Sequence, residues 1–446
     1  MRGDCVVLDW AASGAMALTG RPEGLPVASP APVLAMLDQV AGQFAQVTRE
    51  TGTMVRADPA ELISGRAAFA GLTRGGQVSA GGASFLLRSA DGWCAVTLSR
   101  ADDLAAVPAI VGALALGAAD PEGVVTAAEA RSTLAAAARA VPAEDFAAAA
   151  QLVGVPAAAL PARAAAPAMA AQWPPWQAAR IAAPLPGARL AGAVVVDLSS
   201  MWAGPLCARL LGLAGANVVK VESPARPDGA RSGNREFFDW LHGGHRSVAV
   251  DFRTREGRAA LTALLERADV VIEASRPRAL AAAGVAPGMI RHPRGQVWLS
   301  ITGYGRAAPE RVAFGDDAAV GGGLVGWTGS GSSAEPVFCA DAIADPLAGA
   351  CGALAVAQSR AAGGGQLLDL SMREVAAAFA AATAPDHGRH EVLPEGSVTC
   401  PRSPVAQAVL PPRRPAFPSG SPARAAELGE HTGAVLAWLT GQGAAC

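Results

Sequence analysis

Residues 199–205 have the composition of a turn that binds a ligand. The apolar residues 194–198 before them predict a strand, and Gly204 with Pro205 is typical of the first turn of a helix. In a parallel sheet, ligands bind where a strand ends and the next helix begins, because free backbone N–H groups and the helix dipole favour negative charge there. The turn is therefore predicted to hold a nucleotide-like ligand.

This turn lacks the G-x-G-x-x-G spacing that lets a dinucleotide pyrophosphate lie against the backbone. The match at Gly321, Gly323 and Gly326 follows an acidic pair and has no clear strand before it. We interpret it as a flexible glycine loop, so ordinary NAD or FAD binding is not predicted.

Two short segments of the chain resemble each other. SGAMALTG at 13–20 resembles GGLVGWTG at 322–329, and each is followed by D-x-x-x-G, at Asp38 and at Asp345. The pattern favours residues 1–75 as a degenerate copy of a later segment, with chance similarity between glycine-rich stretches as the alternative. An aspartate before an apolar helix is commonly its N-cap or a first-turn residue, which applies to Asp341 and Asp345 alike.

The elements around the turn alternate between strands and helices. Residues 194–222 predict one complete strand, helix and strand, and the runs SVAVDF, DVVIEA, QVWLSITGYG and QLLDLSM predict further strands. This alternation is typical of an α/β domain with a parallel sheet, here expected over residues 189–386. Proline- and alanine-rich residues 169–188 are predicted to be a linker, and residues 387–446 an extended tail with a C-terminal helix.

Composition limits the possible classes of protein. The chain has 446 residues and a net charge of −2, which gives no general basic field for nucleic acid. No long apolar run predicts a membrane span, and no signal peptide is recognisable at the start. The seven cysteines show no paired spacing, so a reducing cytoplasm is expected and neither disulfides nor a metal site is predicted.

Several of these segments together resemble the class III CoA-transferase family, which includes formyl-CoA transferase and α-methylacyl-CoA racemase. The resemblance lies in VVVDLSSMWAGP, LGLAGANVVKVESP, GGHRSVAVDFRTREGR, ADVVIEASRPRAL, LSITGYG, GGGQLLDLSM and LGEHTGAVL, in family order over most of 190–440. GLTRGGQVSAGGASFLLRSADGWCAVTL is similar to the family's glycine loop and the start of its small domain, so residues 76–168 are expected to replace that domain. The implied fold is a Rossmann-like parallel-sheet CoA-binding domain with a smaller α+β domain.

The resemblance also implies a chemistry. The family's nucleophilic aspartate corresponds to Asp345 by the D-x-x-x-G spacing, although counting back from the glycine-rich end of the following helix favours Asp341. The carboxylate would form an anhydride and then an aspartyl-CoA thioester, with Gly81 and Gly82 covering the intermediate and Asp317 as a supporting acid. The implied ligands are a CoA thioester as substrate and a carboxylic acid, with no permanently bound cofactor. The implied assembly is a homodimer or an internally fused pseudo-dimer.

The family's CoA-binding positions also map onto this sequence, with departures. Trp202 stands where formyl-CoA transferase has a glutamine, and His245 occupies a lysine position. The segment Gly315-Asp316-Asp317 lacks the histidine of the family's racemases, which disfavours a racemase or isomerase. Two alternatives to a CoA-transferase stay open: such a racemase or isomerase, and a non-catalytic CoA-binding homologue. The CoA-binding candidates are Met201, Trp202, Ala203, Ser223, His245, Arg246, Ala274, Ser275 and Arg278.

Overall fold

A computed structural model describes residues 5–115, 126–162, 173–417 and 424–441. The helices are α1 (Val6–Ala12), α2 (Val33–Thr51), α3 (Pro59–Ala70), α4 (Ala101–Ala105), α5 (Val107–Ala113), α6 (Ala127–Arg139), α7 (Ala143–Leu152), α8 (Ala203–Leu213), α9 (Arg235–His242), α10 (Arg255–Arg267), α11 (Pro277–Ala282), α12 (Gly315–Gly321), α13 (Ala344–Ala361), α14 (Met372–Ala380) and α15 (Thr432–Leu439). The strands are β1 (Ser84–Arg88), β2 (Trp93–Thr97), β3 (Ala157–Ala159), β4 (Trp176–Arg180), β5 (Val194–Asp197), β6 (Asn217–Glu222), β7 (Arg246–Ala249), β8 (Val270–Glu273), β9 (Val297–Thr302), β10 (Gly326–Thr328), β11 (Glu335–Val337), β12 (Gln366–Ser371), β13 (Glu391–Val392), β14 (Ser397–Thr399) and β15 (Gln407–Ala408).

The large sheet has the strand order β4-β12-β9-β8-β5-β6-β7. Neighbouring strands are parallel from β12 to β7, and β4 at the edge pairs antiparallel with β12. Valines and other β-branched residues fill the buried central strands, as expected for a parallel sheet covered on both faces. The α/β fold with a parallel sheet is confirmed.

The predicted strand, helix and strand at 194–222 are β5, α8 and β6. Gly204 lies in the first turn of α8, where a Cβ atom would overlap the Ser199 side chain. Only glycine therefore lets the helix start this close to the turn that follows β5. Gly215, with φ of +100°, lies between α8 and β6, and Ala216 N–H bonds back to the helix carbonyl of Leu211.

Helix α8 packs directly against α13. A Cβ atom on Gly349 would lie 2.7 Å from the Ala203 carbonyl oxygen, so the small residue permits close contact between the two helices. Asp345 is one helical turn before Gly349. The contact thus brings the first turn of α13 to the amino end of α8.

The N-terminal helices belong to the core of the large sheet. Leu37 and Phe44 of α2 are buried in the same hydrophobic cluster as Leu347 and Leu354 of α13. Residues 5–70 therefore complete the helical layer over the sheet. Their origin as a degenerate copy stays a prediction.

Residues 76–162 of the described chain form a smaller α+β unit. Strands β1, β2 and β3 make an antiparallel sheet whose apolar face packs on α5, α6 and α7 around Phe85, Ile110, Leu134 and Phe146. Leu86 and Trp93 lie on the other face and pack with Val320 and Phe338. The second face fixes the unit against α12 and the segment after it.

Two predicted irregular segments contain strands. Part of the expected linker, residues 176–180, is β4, whose Trp176 pairs with Leu370 of β12. An edge strand with largely exposed side chains needs no apolar pattern, so the sequence carries no signal for it. Residues 169–172 of that linker lie outside the described residues. The predicted tail has the expected helix, α15, and also the short antiparallel strands β13, β14 and β15.

No helix in the described ranges combines the length and apolar character needed to cross a membrane.

Candidate functional site

The Asp345 carboxylate lies where the first turn of α13 meets the start of α8. The Ala203 backbone N–H lies close enough to lower the pKa of this carboxyl group. A Cβ atom on Gly315 would overlap the Asp345 carboxylate and the Ala342 carbonyl. The side chain is half-buried in a space walled by backbone, and the amino end of α8 points a free N–H group at it.

The surroundings of Asp345 shift its proton affinity. Burial, followed by the nearby Asp316 and Asp341 carboxylates, raises the pKa of Asp345 to about 7, against the opposing effect of Arg66 and the Ala203 N–H. The carboxyl group therefore changes charge close to neutral pH. A carboxylate with a raised pKa is a stronger base and nucleophile than an exposed aspartate.

Asp341 and Arg66 form an ion pair with two contacts. Arg66 on α3 donates from Nε to Asp341 Oδ2 at 2.8 Å and from Nη2 to Asp341 Oδ1. The Asp341 side chain is 1% exposed, so both of its oxygens are committed to this guanidinium in a site with little water. Arg66 also lies over the Trp202 ring, 5.2 Å from its centroid.

Arg66 is a site residue that sequence reasoning missed. It comes from the N-terminal region, in the helix PAELISGRAAFA, and it belongs to no recognised motif. One signal in the sequence could have found it. Arg66 is a charged residue within the largely apolar run LISGRAAFA, on a helix with mostly buried positions, and a buried charge needs a partner.

The two acids of the Gly315-Asp316-Asp317 segment have different surroundings. Asp316 accepts hydrogen bonds from the Ser84 hydroxyl at 2.9 Å and the Ala342 N–H at 3.1 Å, and burial raises its pKa. Asp317 accepts from the Thr97 hydroxyl and the Phe314 N–H, both at 2.9 Å, and burial raises the pKa of Asp317 to about 8. Asp316 interacts electrostatically with Asp345, whereas Asp317 mainly joins β2 to the start of α12.

The glycine loop before β1 reaches the same place. Gly81 and Gly82 are exposed, and a Cβ atom on Gly81 would lie 3.4 Å from Arg66 Nη2. Gly82 has φ of +79° and donates its N–H to the Ser79 carbonyl at 2.8 Å. The two glycines therefore lie in a tight turn next to the Arg66–Asp341 pair.

The turn at 199–203 is held by a buried charge network. Lys220 is the single lysine of the chain. Its Nζ lies 2.8 Å from Asp228 Oδ2 and donates to the Ser199 carbonyl at 3.0 Å. Asp228 in turn accepts the Met201 N–H at 3.0 Å. Met201 adopts a left-handed backbone with φ of +73° and exposes 43% of its surface, so the network fixes a strained turn beside α8.

The Trp202 side chain is buried in the protein core. The ring is 3% exposed and contacts Phe237 edge-on at 5.5 Å between centroids. Its Nε1 has no hydrogen-bond partner within the described part of the chain. Trp202 therefore presents its indole to Arg66 and the core.

His245 and Arg246 lie at the start of β7. His245 is buried against α8, because a Cβ atom on Gly212 would lie 3.3 Å from His245 Nε2. Burial lowers the pKa of His245 to about 3, which keeps its ring neutral at physiological pH. Arg246 is half-buried and its backbone pairs with Val219, away from the carboxyl ends of the strands.

The remaining CoA-binding candidates follow the carboxyl ends of β6 and β8. Ser223 comes directly after β6, and Ala274 and Ser275 follow β8. Arg276 donates to the Gly154 carbonyl at 3.2 Å, and its pKa is lowered by burial and by the nearby Arg100, Arg278 and Arg226. Arg278 is exposed and pairs with Glu310 at 2.7 Å. This edge of the sheet thus concentrates positive charge.

Residues 190–408 match the model of CoA-transferase family III. A succinyl-CoA–D-citramalate CoA-transferase of Chloroflexus aurantiacus is 31% identical over 208 residues, covering 43% of this chain and 51% of the relative. A succinate–glutarate CoA-transferase of Agrobacterium fabrum is 30% identical over 213 residues, covering 43% of this chain and 53% of the relative. The chain thus spans about half the length of these curated relatives.

Among solved structures, a CAIB/BAIF family protein from Brucella suis is 29% identical to this chain, with a TM-score of 0.38. That similarity covers 44% of this chain and 55% of the other.

Proposed function

We propose, from the match of residues 190–408 to the model of CoA-transferase family III, that this chain is an enzyme that moves CoA from an acyl-CoA thioester to a carboxylic acid. The observation that carries the proposal is the Asp345 carboxylate at the amino end of α8, with the guanidinium of Arg66 nearby. Helix N–H groups and a cation stabilise negative charge that shifts between a carboxylate and an acyl group.

Asp345 supports the role of nucleophile better than Asp341. Both Asp341 oxygens are bound by Arg66, and its side chain is nearly inaccessible. Asp345 is half-buried, has the Ala203 N–H nearby, and has a raised pKa. We assign Asp341 to positioning Arg66, and Asp345 to the covalent step.

The covalent sequence balances without a further reactant. An Asp345 oxygen attacks the thioester carbonyl, the C–S bond breaks, and CoA leaves as the thiolate, which gives an aspartyl anhydride. The thiolate then attacks the aspartyl carbonyl, releasing the donor carboxylate and leaving an aspartyl-CoA thioester. The acceptor carboxylate attacks that thioester, the C–S bond breaks, and a second anhydride forms between Asp345 and the acceptor as CoA thiolate is released. The thiolate then attacks the acceptor carbonyl of this anhydride, which gives the acceptor acyl-CoA and restores the Asp345 carboxylate.

The surrounding residues have separate roles in this proposal. The Ala203 N–H and Arg66 lower the energy of the negative charge that develops near Asp345. Gly81 and Gly82 cover the intermediate from the small unit, because their loop already lies next to Arg66. Asp316 and Asp317 hold the small unit in place through Ser84 and Thr97.

CoA itself is proposed to lie along the carboxyl ends of the parallel strands. Met201 and Ala203 face it from the first turn, and Ser223, Ala274 and Ser275 from the neighbouring strand ends. Arg276 and Arg278 follow β8 at this edge, and a guanidinium suits phosphate oxygens. Trp202 directly precedes α8 and His245 packs against it, so both support this helix, whereas Arg246 lies at the start of β7.

The test is trapping of a covalent intermediate. Wild type, Asp345→Asn and Asp341→Asn are incubated with succinyl-CoA, the donor named for one of the relatives, and with other acyl-CoAs, and intact mass is measured before and after hydroxylamine. We expect a hydroxylamine-sensitive adduct in wild type, at a reduced level in Asp341→Asn, and none in Asp345→Asn. An adduct that persists in Asp345→Asn contradicts the assignment of the nucleophile. CoA binding without an adduct or transfer for any donor contradicts the proposed activity and favours a non-catalytic homologue.

A further inference from the structure

Two cysteines and two histidines come together far from Asp345 in the sequence. One potential ligand atom from each of Cys5, His387, His390 and Cys400 lies within 4.8 Å of all the others. Cys5 Sγ is 3.0 Å from His390 Nε2, and Cys400 Sγ is 3.6 Å from His387 Nδ1. The sequence predicted no metal site, because Cys5 and His390 are 385 residues apart and no local ligand spacing links them.

The spacing of these atoms suits a tetrahedral metal ion. Zinc binds thiolate sulfur at about 2.3 Å and imidazole nitrogen at about 2.0 Å, so ligand atoms at the corners of its tetrahedron are roughly 3.3 to 3.8 Å apart. The two sulfur–nitrogen distances of 3.0 and 3.6 Å are close to that range. Small side-chain rotations bring the remaining pairs, all within 4.8 Å, to the same separations.

The donor set and its burial indicate what kind of site this is. Two cysteines with two histidines form a set that prefers zinc over hard cations such as magnesium or calcium. Both cysteines are buried and both histidines are half-buried. Four protein donors leave no open position for a substrate, so the geometry is that of a structural site.

We propose that Cys5, His387, His390 and Cys400 bind one Zn²⁺ ion that fastens the start of α1 to the tail. Binding releases the two thiol protons and leaves a neutral complex of Zn²⁺ with two thiolates and two neutral imidazoles. Helix α1 also meets this tail through the Leu410 N–H, which donates to the Ala11 carbonyl at 2.9 Å. The metal–ligand bonds thus add a strong link between α1 and the tail, which are already joined by backbone contacts.

A metal link at this place would stabilise the helical layer over the large sheet. Trp10 of α1 is 1% exposed and packs in the same core as Leu37 of α2 and Leu347 of α13. Holding α1 in place therefore supports the helical layer that carries Asp345. The four ligands themselves take no part in the proposed acyl transfer.

The first measurement is the metal content of the full chain, purified untagged under reducing conditions from zinc-supplemented cells. We expect about one zinc ion per chain, and less than about a tenth of that in Cys400→Ser and in His387→Gln. Cys94→Ala is the matched control, because Cys94 is a buried thiol in the small unit and should leave the zinc content unchanged. Metal-free wild type titrated with Co²⁺ should develop thiolate-to-cobalt charge transfer and the visible bands of a tetrahedral centre.

Several results would overturn the proposal. Wild type with free thiols that neither contains zinc nor gives a tetrahedral cobalt spectrum has no such site. A Cys5–Cys400 disulfide that persists in protein purified under reducing conditions would replace the metal as the explanation of the cluster. If the substituted chains do not fold, the zinc and cobalt measurements on wild type decide alone. None of these readouts depends on CoA-transferase activity.

Discussion

Arg66 on α3 and Asp341 before α13 are joined by two hydrogen bonds although 275 residues separate them in the sequence. The guanidinium also lies over the Trp202 ring, next to Gly81 and close enough to affect Asp345, so it adjoins residues from separate parts of the chain. Arg66 also reduces the proton affinity of Asp345. The charge state of the proposed nucleophile thus depends on a residue of the N-terminal region.

Replacing Arg66 should change both the rate and the pH profile. In Arg66→Ala the pKa of Asp345 loses an opposing positive charge and rises, so the pH at which the rate is half-maximal should move upward and kcat should fall at least tenfold at pH 7. Arg66→Lys keeps the charge but not the two-point contact, and its profile should stay closer to wild type.

Arg56→Ala is the control for these variants, because Arg56 forms an exposed pair with Asp38. Its kcat and pH profile should equal those of wild type. An unchanged pH profile in Arg66→Ala, with the fold intact by circular dichroism, would show that Arg66 has no electrostatic effect on Asp345.

The rate of formation of the covalent adduct should increase with pH through about 7. Burial raises the pKa of Asp345 to about 7, and only the ionised carboxylate attacks the thioester. One pH unit below that pKa the rate should be about a tenth of its plateau. Rapid-quench measurement of the adduct between pH 5.5 and 8.5 checks this, and a rate already at its plateau at pH 5.5 would contradict the raised pKa.

The same shift makes a prediction for stability. The pKa of Asp345 is higher in the folded than in the unfolded chain, so its contribution to stability is fully present at low pH and is lost as pH rises toward 7. Asp345→Asn should therefore unfold with a larger free energy than wild type at pH 8, by a few kcal/mol at most, since one pKa unit corresponds to about 1.4 kcal/mol. Urea unfolding at pH 8 and pH 4.5 should show that gain shrinking at the lower pH, and a gain independent of pH would contradict it.

Gly315→Ala should impair the site directly. The added methyl group would overlap the Asp345 carboxylate and the Ala342 carbonyl, so we expect a loss of about 1 to 3 kcal/mol in stability and at least a tenfold fall in kcat. Gly112→Ala is the matched control, because Gly112 is an exposed helical glycine whose Cβ would meet nothing within 4 Å. The control should be neutral or slightly stabilising, and equal activity of the two variants would show that the space around Asp345 is wider than described.

Lys220→Met should destabilise the protein more than any exposed charge substitution. Lys220 is 1% exposed and is the cation between Asp228 and Asp197, so its removal leaves buried carboxylates unpaired. Breaking a buried pair from one side costs about 3 to 5 kcal/mol. Arg56→Met removes an exposed pair and should cost less than about 1 kcal/mol in the same urea titration. Similar losses in both variants would contradict the role of the network.

The sequence predicted those parts of the fold whose signals are local. The strand, helix and strand at 194–222 and the strands DVVIEA and QLLDLSM carry their apolar period and their turn residues within a few positions, and all are present. Strand β4 was missed, because exposed residues at a sheet edge need no apolar alternation. The structure brings Gly81 and Asp345 to one place, as the family resemblance implied, and their roles stay predictions.

The parts that could not be predicted are contacts over long sequence distances. Arg66 has no motif, and its partner is 275 residues away. The cluster of Cys5, His387, His390 and Cys400 likewise has only one short spacing, H-x-x-H, between its members. Such contacts are set by the packing of α1, α2 and α3 on the large sheet, which no local pattern encodes.

Helix α3 links the N-terminal region to the segment that carries Asp345, through the contact between Arg66 and Asp341. The family-matching segment 190–408 contains Asp341 and Asp345 but not Arg66, which pairs with Asp341 and lowers the pKa of Asp345, and it also lacks the Gly81 loop. Recombination that exchanged this segment alone would separate a buried carboxylate from the cation that balances it. We therefore expect substitutions in the N-terminal region and in the segment it completes to be energetically coupled, as they are between two interacting surfaces.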